Sequence, residues 1–172
     1  MKKSLLFFAV FLIFTSNVFS QEKKNRESFE LKMAVDEEHY FAARIPESAY
    51  VLKDETVQVY PGEELFVEAE ISGGNLVNLK NVASNENPEK TLVIKFEQIN
   101  DGKKHKCMML SIFNPFEKEL EYSAIILLPK YGRWVETDVI GIKPKIPGYE
   151  TWTDLISSIA LTDWKLKDGG KE

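Results

Sequence analysis

Residues 65–71, with the sequence LFVEAEI, decide the fold class of this chain. Apolar residues recur there at every second position, and Glu68 and Glu70 lie between them. A period of two residues is typical of a β-strand with one face in a core and the other in solvent, because successive side chains point to opposite faces. We therefore expect a half-buried strand, with Val67 and Ala69 inside and both glutamates outside.

The same two-residue period recurs along most of the chain. Its apolar positions are Tyr40 and Ala42; Val57 and Val59; Leu92, Ile94 and Phe96; Leu120, Tyr122, Ala124, Ile126 and Leu128; and Ala160, Thr162, Trp164 and Leu166. Two runs, 107–113 and 124–128, are apolar on both faces and are predicted to be central strands covered on both sides. Turn-forming pairs separate the strands, namely Pro61-Gly62, Gly73-Gly74, Asp101-Gly102 and Asn114-Pro115.

These short strands and turns predict an all-β fold in residues 28–168, arranged as a single immunoglobulin-like antiparallel β-sandwich. The chain has one cysteine, so the paired cysteines of antibody domains are missing and only the general architecture is implied. A small closed barrel is the rival fold. One segment departs from the period of two: Trp152, Leu155, Ile156 and Ile159 have helical spacing, which predicts one short covering helix near 152–159.

The first 20 residues have the features of a secretory signal peptide. Lys2 and Lys3 precede the apolar run 5–14 (LLFFAVFLIF), and a cleavage position follows at Ser20. The sequence therefore predicts a signal peptide at 1–20, a flexible mature N-terminus at 21–27 and a disordered tail at 169–172. We expect a periplasmic or secreted bacterial protein with no stable membrane insertion once the signal peptide is removed.

The composition and the missing motifs argue against several functions. The chain has 22 Lys and Arg residues against 27 Asp and Glu, and a formal charge of −5, which argues against a nucleic-acid partner. No zinc-ligand spacing, phosphate-binding loop or nucleophile elbow occurs, so we expect no metal, no cofactor and no enzymatic activity. The less favoured alternative is a hydrolase with an unrecognised site. Its site would be built from scattered carboxylates, or from Cys107 with His105, because residues i and i+2 share one face of a strand.

Aromatic residues near loops indicate a binding role. Trp152 and Trp164 fall on apolar periodic positions and are predicted to be core residues, whereas Trp134 follows a turn and is expected to be exposed. The predicted ligand-binding residues are Tyr131, Arg133, Trp134 and Tyr149. The sequence thus predicts an exported, non-enzymatic binding or accessory module for a protein or glycan of the cell envelope. The alternative is a structural or assembly subunit that associates through its sheet edges.

Overall fold

The computed structural model describes residues 21–167, which contain thirteen strands and no helix, and therefore no helix long and apolar enough to cross a membrane. The predicted signal peptide 1–20 and the predicted tail 169–172 lie outside these residues. The strands are β1 (Asn25–Arg26), β2 (Phe29–Ala34), β3 (Tyr40–Ile45), β4 (Ser48–Ala49), β5 (Val57–Val59), β6 (Glu63–Ser72), β7 (Asn75–Val82), β8 (Thr91–Asp101), β9 (Lys104–Phe113), β10 (Glu119–Leu128), β11 (Arg133–Thr137), β12 (Pro147–Trp152) and β13 (Ser158–Lys167). The all-β prediction is confirmed.

One large antiparallel sheet carries most of the fold. Its strand order is β11-β10-β13-β7-β6-β8-β9-β12, and β5 pairs with β13 beside this path. Two ribbons, β1–β4 and β2–β3, complete the strand pairing. The buried apolar side chains of the large sheet and of the β2–β3 ribbon form a single core cluster. Sheets curled around one core in this way are consistent with a β-sandwich or a half-barrel.

The two doubly apolar runs fall on β9 and β10, and each strand has a hydrogen-bonded neighbour on both sides. Both strands nevertheless lie next to the ends of the sheet, beside β12 and β11. One face of each strand is buried, through residues such as Leu110 and Ile126, while the opposite face is only half-buried. The prediction that both runs are covered on both sides is therefore correct for one face and overstated for the other.

The predicted helix near 152–159 is wrong. Trp152 is the last residue of β12 and pairs with Met108, and Ser158 already belongs to β13 and pairs with Leu127. Only residues 153–157 remain to link two strands, and the Ser157 N–H donates to the carbonyl of Leu127. The backbone groups of this segment are thus used by the sheet, and the helical spacing of its apolar residues reflects two strand ends and the link between them.

The segment 21–27, predicted to be a flexible N-terminus, is held against the fold. Glu22 forms an antiparallel bridge with Val82, and Lys23 N–H donates to the carbonyl of Asn81. Arg26 is only 2% exposed. A charged side chain is buried in this way only when its charge and its hydrogen bonds are satisfied. Composition alone does not show that Arg26 has such partners.

Strand β13 does not follow the predicted alternation throughout. Leu161 and Trp164 are buried, while Thr162 is half-buried and Asp163 is exposed. Tyr122 of β10 lies opposite two residues of β13, and Asp163 has a φ of 55°. This bulge shifts the buried face by one residue, so the prediction of one face through Ala160, Thr162, Trp164 and Leu166 is wrong.

Candidate functional site

The β10–β11 hairpin brings three of the four predicted binding residues together. A turn over residues 129–132 joins the strands, with the N–H groups of Tyr131 and Gly132 donating to the carbonyl of Leu128. Tyr131, Arg133 and Trp134 are all exposed, and Trp134 retains 41% of its accessible surface. We call these three residues the β11 patch. The prediction that Trp134 is exposed is confirmed.

The aromatic ring of Tyr131 lies near two cations. Lys130 Nζ is 5.2 Å and Arg133 Cζ is 5.6 Å from its ring centroid. Both distances are within the range of cation–π attraction, which orients flexible basic side chains over an exposed ring. The turn end of the hairpin is therefore aromatic and basic on a protein whose net charge is negative.

The fourth predicted residue, Tyr149, lies on β12, the strand at the other end of the sheet order. It is exposed and pairs with Ser111 of β9. Among residues 21–167, no ring contact or hydrogen bond joins Tyr149 to the β11 patch. The hairpin places Arg133 near the Tyr131 ring and Trp134 on the opposite face of β11 from Arg133, while Tyr149 lies apart on β12.

The two end strands approach each other beyond the β11 patch because the sheet curls. Trp152 Nε1–H on β12 donates to Thr137 Oγ1 on β11 at 2.9 Å. Ile140 N–H donates to the Glu150 carboxylate at 2.7 Å. We call this junction the seam. The sequence does not predict the seam, because nothing in the local pattern of either strand indicates that the two ends of the sheet meet.

A cleft of about 680 Å³ lies beside the seam, and we call it the seam cleft. The polar side chains that line it are Ser123, Glu136, Thr137, Asp138, Thr162 and Asp163. Its lining also includes Tyr122, which is 9% exposed and stacks on Trp164 with ring centroids 5.5 Å apart. Burial raises the pKa of the Tyr122 phenol, and the negative charge of Glu150 raises it further.

The candidate residues for hydrolysis are not arranged as a nucleophile and its base. His105 Nδ1 lies 2.9 Å from Gln98 Nε2, and His105 Nε2 lies 3.1 Å from the carbonyl oxygen of Thr153. Gln98 is itself oriented by both backbone groups of Ala34. Both nitrogens of His105 thus have partners other than Cys107, and a Cys–His catalytic pair requires a hydrogen bond between the two.

Metal-binding side chains are not clustered in the part of the chain that the structure describes. No group of three or more His, Cys, Asp or Glu residues between 21 and 167 is placed to hold one metal ion. The carboxylates of the seam cleft are included in this statement. They are therefore spread along the cleft walls and do not converge on one point.

No protein-family model, curated protein sequence or solved structure shows a match to this chain. Function is therefore inferred from the geometry of the β11 patch and the seam cleft.

Proposed function

We propose that this chain is an exported, non-enzymatic β-domain that binds a protein or glycan of the bacterial cell envelope through the β11 patch. The observation that carries this proposal is the exposure of Trp134 on a strand at the end of the sheet. The proposed location, periplasmic or secreted, depends on the signal-peptide features of residues 1–20.

The surroundings of Trp134 suit a binding surface. Its cross-strand partner is Leu127, whose side chain is half-buried and shares the same sheet face. A flat indole beside an aliphatic side chain offers apolar area that stacks on a sugar ring or fills a pocket of a protein partner. Tyr131 and Arg133 lie at the turn end of the same hairpin, with Arg133 on the other face of β11, and offer a phenol and a guanidinium, residue types enriched at binding hot spots.

The proposed scaffold is the immunoglobulin-like sandwich that the sequence predicts. Its support is the antiparallel pairing of the large sheet and the single core enclosed by the curled sheets. In this layout β11 is an end strand, so its outward backbone groups have no strand partner among the described residues, and Trp134 stands on a sheet face beside that edge. An experimental structure that separates two facing sheets would support this layout, and one continuous half-barrel would contradict it.

The binding proposal is tested with the variant Trp134→Ala. Wild type and variant are titrated with soluble envelope glycans and with fractionated envelope proteins, and binding is followed by a surface-immobilised assay. We expect the variant to lose at least tenfold in affinity, because truncating an aromatic anchor at a binding surface commonly costs 1.4 kcal/mol or more.

The matched control is Tyr40→Ala, which removes an exposed aromatic residue on the β2–β3 ribbon that also lies near a cation, Lys32 Nζ at 3.9 Å. This variant should keep wild-type affinity. Equal affinity of wild type and Trp134→Ala for every ligand that binds, or turnover of any of them by wild type, would contradict the proposal.

The second candidate function is a structural subunit that assembles through sheet edges. It is favoured by one observation, that β11 pairs only with β10 among the described strands and so leaves a free edge. Strand addition to such an edge is a common mode of assembly. Light scattering at increasing protein concentration should show growing oligomers if this is the function, and a constant monomer mass if it is not.

A further inference from the structure

A second cleft, of about 470 Å³, shares no residue with the β11 patch or the seam cleft, and we call it the β7 cleft. Its walls come from the N-terminal segment 22–25, the chain at 49–55 and residues 78–81 of β7. Among the described residues, β13 pairs with β7 only at Asn75, and the N-terminal segment forms its bridge at Val82. The cleft therefore lies where the strand pairing along the outer edge of β7 is interrupted.

Asn81 of β7 carries a buried oxygen that lacks a hydrogen bond. Its side chain is more than nine-tenths buried, with 5% of the residue exposed. Asn81 Nδ2 donates to the carbonyl of Lys23 at 3.3 Å, and this contact fixes which end of the amide is the free acceptor. Within residues 21–167, Asn81 Oδ1 is the one buried side-chain oxygen or nitrogen without a partner. Such a group normally has one, because leaving it unpaired away from water costs free energy.

The unpaired oxygen belongs to the wall of the β7 cleft. Asn81 and Leu79 are two residues apart on a regularly paired stretch of β7, so their side chains share a face, and both residues line the cleft. The backbone carbonyl of Asn81 is already used, since it accepts the N–H of Lys23 at 2.8 Å. A ligand in the cleft with an N–H or O–H group would give Oδ1 the donor that the chain does not supply.

The charges around the β7 cleft favour an anionic group on that ligand. Lys24 and Lys53 line the cleft, are exposed, and belong to no ion pair within residues 21–167. Lys80 already has a carboxylate partner. The Glu55 carboxylate accepts two backbone N–H groups of β7, at 3.2 and 2.8 Å, so its charge is used. Glu22 is the remaining free carboxylate of the lining, and the two free lysines outnumber it.

The rest of the lining is aliphatic. It consists of Ala49, Val51, Leu52 and Leu79. Leu52 keeps 43% of its surface exposed, so it offers apolar area that the chain itself does not cover. A ligand suited to the β7 cleft therefore combines a carboxylate, a hydrogen-bond donor and an apolar group. The last residue of a peptide has all three on neighbouring atoms, and capture of a C-terminal carboxylate is an established mode of peptide recognition.

We propose that the β7 cleft binds the C-terminal residue of a peptide that ends in an aliphatic side chain. The terminal carboxylate lies at Lys24 and Lys53, the N–H of the last residue donates to Asn81 Oδ1, and the side chain packs on Leu52. An acidic sugar also offers a carboxylate and donors, but it lacks the apolar group that the aliphatic lining suits. The inference goes beyond the proposed function, because it assigns a second site that shares no residue with the β11 patch.

The direct test uses the peptide acetyl-Ala-Ala-Leu with a free carboxylate as the probe, in calorimetric titrations at low ionic strength. Its C-terminal amide should bind at least tenfold more weakly, and the affinity of the acid should fall as salt is raised. The ester analogue, with oxygen in place of the last N–H, should bind about threefold more weakly, as expected for one hydrogen bond. Equal affinity of acid and amide would overturn the proposal, and so would equal affinity of acid and ester, which would leave Asn81 Oδ1 with a bound water only. Glucuronate binding as tightly as the acid would overturn the assignment to a peptide.

Variants locate the binding. Lys24→Gln combined with Lys53→Gln should weaken the binding of the acid about tenfold. The control, Lys104→Gln combined with Lys106→Gln, removes two exposed lysines from β9, changes the net charge equally and should bind as wild type. If the double variant in the cleft binds the acid as this control does, the inference fails.

Asn81→Leu tests the hydrogen bond itself. This variant lacks the acceptor and should bind the acid and the ester equally, a result that a merely structural role of Asn81 would not produce. Asn75→Leu, an exposed position of β7 outside the cleft, should keep the wild-type difference between the two peptides. Should Asn81→Leu not fold, as judged by circular dichroism, the lysine variants and the ester with wild type decide. Trp134→Ala should bind the acid as wild type does, so failure of the proposed function and failure of this inference are distinguishable.

Discussion

The two halves of β6 have the same sequence pattern and different surroundings. In the first half, Leu65 is 3% exposed and Glu64 is exposed, as alternation predicts. In the second half, Ala69 stays in the core, but Glu68 on the opposite face is only 2% exposed and Ile71 at the strand end is 56% exposed. The difference teaches that a two-residue period predicts the face of a side chain, whereas its exposure depends on which neighbouring segments cover that face.

Both neighbours of β6 change in its second half, since β8 pairs with it only as far as Glu68 and β7 contains a bulge. Glu68 pairs with Lys80 and Glu70 with Val77, so two residues of β7 lie opposite Ala69. One of them, Asn78, has a φ of 54°, which asparagine tolerates better than most residues. The Asn78 backbone N–H donates a hydrogen bond to the Glu55 carboxylate and not to a carbonyl of a neighbouring strand. The second half of β6 thus follows a bent partner, whereas the first half pairs with β8 without interruption.

The largest expected effect is at the start of β6, where Glu63 pairs with the buried Arg26. All five N–H donors of this guanidinium are used: Nε and Nη2 reach the Glu63 carboxylate at 2.8 and 3.2 Å, and the rest reach Ser48 Oγ and the carbonyls of Ala49 and Gln58. Its Cζ also lies 4.4 Å from the ring centroid of Tyr50. We expect Arg26→Ala to lower the free energy of unfolding by about 4 kcal/mol, because it breaks a buried ion pair and removes the guanidinium that packs on the Tyr50 ring.

Urea denaturation measures this effect, and hydrogen exchange of residues 22–26 should become faster in the same variant. The control is Arg44→Ala, since Arg44 is exposed and donates one hydrogen bond to Ser28. A loss of less than 1 kcal/mol in Arg26→Ala would show that the segment 21–27 contributes little to the fold.

The next effect separates the two halves of β6 directly. Leu65 and Ile71 occupy equivalent positions of the alternation, so the sequence alone predicts equal costs for truncation. The structure predicts a loss of about 3 kcal/mol for Leu65→Ala, as for a buried leucine, and of less than about 1 kcal/mol for Ile71→Ala. Denaturation midpoints of the two variants provide the comparison, and equal losses would contradict the exposure of Ile71 in the structure.

Much of the fold can be predicted from local sequence patterns, because most strands and turns are determined by residues close together in the chain. Alternation predicts most strands, and Gly62 and Gly102 take the positive φ that their turns require. The end of β9 at Phe113 follows from Asn114-Pro115. The rest depends on partners distant in sequence. Glu63 lies 37 residues from Arg26, and Thr137 lies 15 residues from Trp152, so neither the burial of the arginine nor the seam has a local signal.

The same limit applies to the candidate site. A turn followed by an aromatic residue predicts the exposure of Trp134 and its grouping with Tyr131 and Arg133. The separation of Tyr149 and the existence of the seam cleft depend on how the sheet curls. The bulge opposite Tyr122 also helps to form the cleft wall. In this bulge Asp163 has a positive φ, but an aspartate in the sequence is too weak a signal to predict the bulge.

The smallest of these effects concerns Glu68, the glutamate that Asn87, Lys80 and Lys90 cover on the outer face of β6. Burial disfavours its charged form, but the hydrogen bond from Asn87 Nδ2 at 2.6 Å and the charges of Lys90 and Lys80 outweigh burial and lower the pKa of Glu68 below its ordinary value. The ionised carboxylate therefore stabilises the folded chain above pH 4.5, the ordinary value, and this contribution is lost as the pH falls through the lower pKa of the folded state.

We expect Glu68→Gln to lower the free energy of unfolding by about 1 kcal/mol at pH 7, because the glutamine keeps an acceptor for Asn87 and loses both lysine partners. The difference between wild type and variant should shrink on acidification below pH 4.5, since wild-type Glu68 then becomes neutral as well. Urea titrations at pH 7, 5, 4 and 3 measure it, with Glu64→Gln as the exposed control on the same strand. A difference that stays constant across this pH range would mean that Glu68 contributes by its shape and not by its charge.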